Sequence, residues 1–139
     1  MTSFATMRLP PTPTVVAPDG SDVRVLLSLQ GGSMAHFELA AGQVARAVVH
    51  KSVEEVWFVV AGRGEMWRRQ DGREETVPLE PGVCLTIPAG THFQFRASAR
   101  EGVGVGAVAV TMPPWPGEGE AMFVRGPWEA TDGGVADGR

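Results

Sequence analysis

The sequence is poor in cysteine and has no long apolar run. Its single cysteine, Cys84, excludes an intrachain disulfide and points to a reducing compartment. No uninterrupted apolar stretch reaches the roughly 20 residues that a membrane-spanning helix needs. The opening MTSFATMRLPPTPT lacks an apolar signal core. The expected location is therefore the cytoplasm, with no membrane partner. Basic runs are missing as well. A net charge of −4 over 139 residues gives nucleic-acid binding no electrostatic footing. No window carries sustained helical periodicity. What remains is an ordinary globular composition, 43% hydrophobic and 20% charged, which suits one domain with a real core.

Punctuation is abundant. The 18 glycines and 11 prolines separate short apolar stretches, the pattern of an all-β chain. SDVRVLLSL, SMAHFEL, QVARAVVH, EEVWFVVAG, GEMWRR, EETVPL, VCLTIP, THFQFRAS and VGVGAVAVTM each read as a strand. Their even spacing predicts a sandwich, jelly roll or small barrel. Cys84 lies in one of these apolar runs and reads as a small core residue. Residues 1–20, with Pro10, Pro11, Pro13 and Pro18, read as an arm able to cross to a neighbouring subunit. Residues 21–112 hold the barrel. Residues 113–139 form an extension that Trp115 and Trp128 pin to it, ending in a Gly/Asp-rich disordered tail.

Between Gly42 and Gly62 stand Val48, His50 and Glu55, and further on come Gly82, Pro88 and Gly90. This register resembles the two motifs of the cupin superfamily, with germin-like spacing in the first, and covers roughly Val23 to Met112. The resemblance implies a single-domain cupin jelly-roll (double-stranded β-helix) barrel, often dimeric, with a ligand pocket inside. It also implies where a metal would sit. Metal-binding members carry histidines at the positions of Val48, His50 and Phe93 and a glutamate at Glu55; the later asparagine position is Ala97. Valine and phenylalanine donate to no metal, and a catalytic transition-metal site generally needs three protein ligands. His92 is one residue off, and strand side chains alternate faces. No metal and no other cofactor is expected. The alternative is a divalent-metal enzyme, a dioxygenase or isomerase, using His50, Glu55 and a His92 re-aimed by a bulge.

Counting by twos along the strands gives the inward set. His50 and Glu55 are the candidate catalytic pair, either a proton-transfer couple or a relic held by mutual hydrogen bonding. Arg46, Val48, Trp57, Val59, Phe93 and Phe95 are the candidate ligand-binding residues, greasy walls with few polar groups. The competing reading is that the aromatics only fill a small barrel. Glu54 faces outward in this register, and His36 reads as a partly exposed strand histidine. Arg63, Arg68, Arg69 and Arg73 suggest an anion site, but Glu65, Asp71, Glu74 and Glu75 dilute it, and a solvated hairpin face is the plainer reading. The function expected is a small homodimeric cupin that binds a small organic molecule without metal. Either it catalyses a non-redox step (isomerisation, cyclisation or elimination), or it binds or senses a ligand without chemistry.

Overall fold

The computed structural model describes residues 2–131; the expected disordered tail lies largely outside them. The strands are β1 (Val15–Val16), β2 (Asp22–Leu29), β3 (Gly32–Leu39), β4 (Val48–His50), β5 (Glu54–Gly62), β6 (Gly64–Gln70), β7 (Arg73–Leu79), β8 (Cys84–Ile87), β9 (His92–Ala97), β10 (Val105–Met112) and β11 (Ala121–Phe123). They form two antiparallel sheets, one of six strands in the order β1-β2-β3-β10-β5-β8, the other of five in the order β11-β4-β9-β6-β7. The fold is the expected all-β jelly roll. Both the arm and the C-terminal extension lend it a strand.

Alternation builds the core. Along β5, Glu55, Trp57 and Val59 are buried while Glu54, Val56, Phe58 and Val60 are exposed. Phe93, Phe95 and Ala97 face inward from β9, and Leu85 and Ile87 from β8. Cys84 is exposed on the outward side of β8, which corrects its reading as a core residue: an apolar run on a strand still sends every second side chain out. Gly62 turns the chain at φ +79°, and a Cβ there would collide with the Gly104 carbonyl oxygen.

Two further expectations are corrected. Only the last three residues of QVARAVVH form a strand. Before them the backbone leaves the ladder, with the Ala45 amide donating to the Phe95 carbonyl and the Arg46 amide to the Asp19 carbonyl. His36 is buried, not partly exposed. Arg24 lies over it on the outer face of the six-stranded sheet, with Nη1 3.4 Å from His36 Nδ1 and 3.2 Å from Glu38 Oε1. Arg24 also donates to the carbonyls of Pro10 at 2.8 Å and Pro11 at 3.3 Å, tying the arm across this face. Burial, helped by the Arg24 charge and opposed by Glu38, pushes the His36 pKa down.

Candidate functional site

The strands place one imidazole and one carboxylate at the same end of the barrel. His50 closes β4 and Glu55 is the second residue of β5, both buried. They line a cavity of about 20 Å³ with Ala17, Pro18, Asp19, Phe37, Val48, Trp57, Phe93, Trp115 and Ala121. That is room for about one water molecule. Aromatic packing accounts for the small volume. Phe37 stacks on Trp57 at 5.1 Å, and Phe95 meets Trp57 edge-on at 5.1 Å. The His50 ring meets Phe93 edge-on at 5.2 Å and Trp115 at 4.9 Å.

Glu55 has a defined neutral donor, since Trp57 Nε1 donates to its Oε1 at 2.8 Å. The two residues are i and i+2 on one strand, so both point inward by necessity. The Pro88–Gly90 turn lies beside His50: the Gly90 amide donates to the His50 carbonyl at 3.0 Å, and the Thr91 amide to the Pro88 carbonyl at 3.1 Å.

A strap from the C-terminal extension closes the mouth. Its Trp115 amide donates to Ser33 Oγ at 3.0 Å, which brings the indole over His50. At its other end the Glu120 carboxylate accepts from Ser52 Oγ at 2.6 Å, from the Ser52 amide at 2.7 Å and from the Val53 amide at 3.2 Å. Burial alone would raise the Glu120 carboxyl; the Ser52 hydroxyl, the two amides and the charge of His50 outweigh it and hold it below its ordinary value. A depressed folded-state pKa means that the anchor is present above the unfolded value, near 4.5, and is lost as pH falls through the folded one. Acidification through that window is expected to loosen the strap, read as a shift of the Trp115 indole N–H resonance. In Glu120→Gln the resonance should be insensitive to pH there; an unchanged titration would remove Glu120 from this role.

The sequence-derived set divides on the structure. Val48, His50, Glu55, Trp57 and Phe93 come together around the cavity. Val59 and Phe95 are buried in the closed core and do not line it. Arg46 does not line it either; its guanidinium lies 3.7 Å over the Phe123 ring, a partner that the extension's strand β11 brings. His92 is directed away from the cavity, with Nδ1 3.1 Å from Arg69 Nη2, and burial together with the Arg69 charge lowers its pKa. At the cupin metal positions Phe93 packs against His50, and among the described residues no three His, Cys, Asp or Glu side chains are placed to hold a metal ion. The residues present do not fit a cupin metal centre.

Sequence reasoning missed Asp19, Phe37 and Trp115. Asp19 sits in a PDG turn, its Oδ1 accepting from the Ser21 amide at 2.9 Å and the Ser21 hydroxyl at 2.6 Å; nothing in the turn indicates that it reaches the barrel mouth. Phe37 stands in SMAHFEL, a strand that the count by twos does not include. Trp115 carried a usable signal, a large aromatic isolated in PPWPG, which has to find a surface to pack on.

Comparison with known proteins agrees with this architecture. The family model described as "Cupin domain" matches residues 35–105, just over half of the chain. A search of curated proteins returns no match. Among solved structures, Streptomyces Pac13 bound to uridine is 17% identical, with a TM-score of 0.65 over 88% of this chain and 93% of that one; Pac13 is described as a nucleoside dehydratase. A Bacillus halodurans protein, BH2720, is 20% identical with a TM-score of 0.59, covering 67% of this chain and 70% of that one. The coconut allergen cocosin is 20% identical with a TM-score of 0.65, over 82% of this chain but 30% of that one. These three likenesses carry the fold alone; the family match carries membership, and this chain belongs to the cupin domain family.

Proposed function

We propose that the protein binds a small organic molecule in the barrel, without metal, and turns it over in a non-redox step such as an isomerisation, cyclisation or elimination. The observation that carries this reading is an imidazole and a carboxylate buried together in an aromatic-walled cavity. His50 is the general base or acid. Glu55, held by the Trp57 indole, orients the substrate or His50. Exclusion of water by Phe37, Trp57 and Phe93 strengthens each polar contact inside. At about 20 Å³ the cavity takes no organic ligand until the Trp115 strap moves, as lids do in other enzymes. Uridine, which Pac13 binds in its solved complex, is a reasonable first probe, within a panel of nucleosides and other aromatic compounds.

Once a substrate is found, His50→Gln is expected to cut turnover by about 100-fold or more while the thermal melt is kept. Unchanged turnover would sink this role for His50. A second reading has its own support. The Trp57 indole binds Glu55 in the manner of a fixed, structural carboxylate, which favours a ligand-orienting pair and a binding or sensing protein without chemistry. Ligand recovered unchanged after long incubation would decide for it.

The protein acts in the cytoplasm as a homodimer on this reading. Met34, Val56, Phe58 and Val60 are exposed apolar residues on the outer face of the six-stranded sheet, and Arg24 anchors the arm on the same face. The arm continues outward with Phe4, Met7 and Leu9 exposed. A second copy buries both. Light scattering is expected to give twice the 14.8 kDa chain mass, and Phe58→Glu one chain mass. A wild-type monomer would contradict the dimer. Among the described residues no helix is long and apolar enough to cross a membrane.

A further inference from the structure

The jelly roll has a second opening, along the seam where β7 and β8, the edge strands of the two sheets, face each other. A pocket of about 130 Å³ lies there, lined by Arg68, Gln70, Arg73, Glu75, Thr86, Pro88 and Thr91. It is some six times larger than the central cavity (about 130 against 20 Å³). Register ties the two together. Val48, Phe93, Arg68 and Glu75 pair in one row across β4, β9, β6 and β7. The first two line the cavity and the last two line the seam pocket, so one strand spacing of about 5 Å separates Phe93 from Arg68.

The chemistry of the lining is that of an anion site. Thr91 is 2% exposed, and its Oγ1 meets no hydrogen-bond partner among the described residues. Neither does the buried Nε of Arg68. Leaving two such groups dry is costly unless something occupies them. The acceptors nearby are already engaged. The Thr86 carbonyl takes Arg68 Nη1 at 2.8 Å, Glu75 Oε1 takes Arg68 Nη2 at 3.2 Å, and Glu75 Oε2 takes Arg73 Nη2 at 3.1 Å. Two guanidiniums against one carboxylate leave a net positive charge. The Arg68 N–H and the Thr91 hydroxyl are donors, with the Gln70 amide at the rim. Nothing comparable holds for Arg69, which is exposed on the other face beside His92.

We propose that the seam pocket binds a small oxyanion, a phosphate or carboxylate group, through Arg68 Nε and Thr91 Oγ1. The anion is either free or carried by an organic molecule whose apolar part enters the row toward Phe93. The hairpin arginines thus divide by face. Arg68, on the inward face with Met66, belongs to the site, while the outward Arg69 is part of a solvated surface.

Inorganic phosphate titrated into the full chain and followed by amide chemical shifts tests this. Saturable binding is expected in the millimolar range or tighter, with shifts centred on Arg68 and Thr91. Arg68→Met should weaken it by about 30-fold, because a charge-assisted pair is lost. Thr91→Val, which keeps the shape, should weaken it about fivefold. Glu75→Gln should tighten it, since a competing carboxylate is neutralised; a merely structural role for the cluster predicts no such gain. His50→Gln should leave phosphate binding unchanged, so failure of the cavity reading and failure of this one are separable. Phenyl phosphate distinguishes the two sources: tighter binding than phosphate, weakened also by His50→Gln, identifies an anion carried by a cavity ligand, and equal binding identifies a free anion. No saturable shift by about 10 mM phosphate, an affinity of barely 3 kcal/mol, overturns the proposal. So does equal binding by wild type, Arg68→Met and Thr91→Val, which would place the ion on exposed arginines.

Discussion

Trp57→Ala is expected to lower the unfolding free energy by about 4 kcal/mol, a large part of the roughly 5–15 kcal/mol that a domain possesses. The ring is 1% exposed, stacked on Phe37 and edge-on to Phe95, each at 5.1 Å. Alanine forfeits that burial and leaves a void between two sheets that cannot collapse onto it. It also removes the donor at 2.8 Å from Glu55 Oε1 inside the barrel, which adds the cost of a buried carboxylate with one hydrogen bond fewer. Trp57→Phe weights the two contributions differently: it keeps most of the packing but gives up the N–H and part of the ring, for about 1 to 3 kcal/mol. Denaturant melts measure both. A loss below about 2 kcal/mol for Trp57→Ala would mean that the core repacks and that Trp57 is no keystone.

Trp115→Ala is expected to act in the opposite sense on ligand binding, raising affinity for a cavity ligand about 10-fold or more. The indole sits 4.9 Å from the His50 ring, in the space that an organic molecule needs, and the cavity beside it holds only about 20 Å³. Pockets for such ligands usually run from about 300 Å³ upward. If the open strap is a minor state, apparent affinity is reduced by its population, and deleting the plug removes that penalty. The strap itself stays anchored, because Glu120 and its Ser52 and Val53 contacts lie elsewhere. Calorimetry with uridine or another panel hit reads the change. A weaker complex with an intact melt would recast Trp115 as a wall of the binding site rather than its plug.

The extension has a broader part in the molecule than its glycine- and proline-rich composition suggests. Besides the strap, it covers the outer face of β9. Gln94, 1% exposed, donates to the Ala45 carbonyl at 2.9 Å and to the Trp128 carbonyl at 2.8 Å and accepts from the Trp128 amide. Arg96 lies 4.0 Å over the Trp128 ring. Close approach at Gly126, where a Cβ would strike Gln94, makes this contact possible. A glutamine that the β9 pattern sends outward is thereby buried by residues more than thirty positions away.

Much of the barrel was legible because strand alternation is local. In EEVWFVVAG the period of two alone sends Glu55, Trp57 and Val59 inward and Glu54 outward, as the structure has them. The same rule sends Phe93 in and His92 out. Positive φ at Gly62, Gly82 and Gly90 follows from turn chemistry between short strands. Alternation assigns a face, however, and not a depth. It puts Val59 and Phe95 on the same side as Trp57 and Phe93, but only the packed barrel separates closed core from cavity wall.

The sequence by itself determined the all-β class and the glycine, histidine and glutamate register that resembles the cupin motifs, and that resemblance implies that Val48 and Phe93 stand where metal-binding members carry histidine. These depend on residue type, spacing and the period of a strand, which neighbours along the chain set. Tertiary structure alone decided that Trp115 reaches His50, that Arg46 turns to Phe123, that Arg24 buries His36, and that Arg68 and Thr91 share a seam pocket. Each of these joins residues from different strands or from an extension, and the free energy of such contacts depends on where closure of the two sheets brings surfaces together, which no local periodicity encodes.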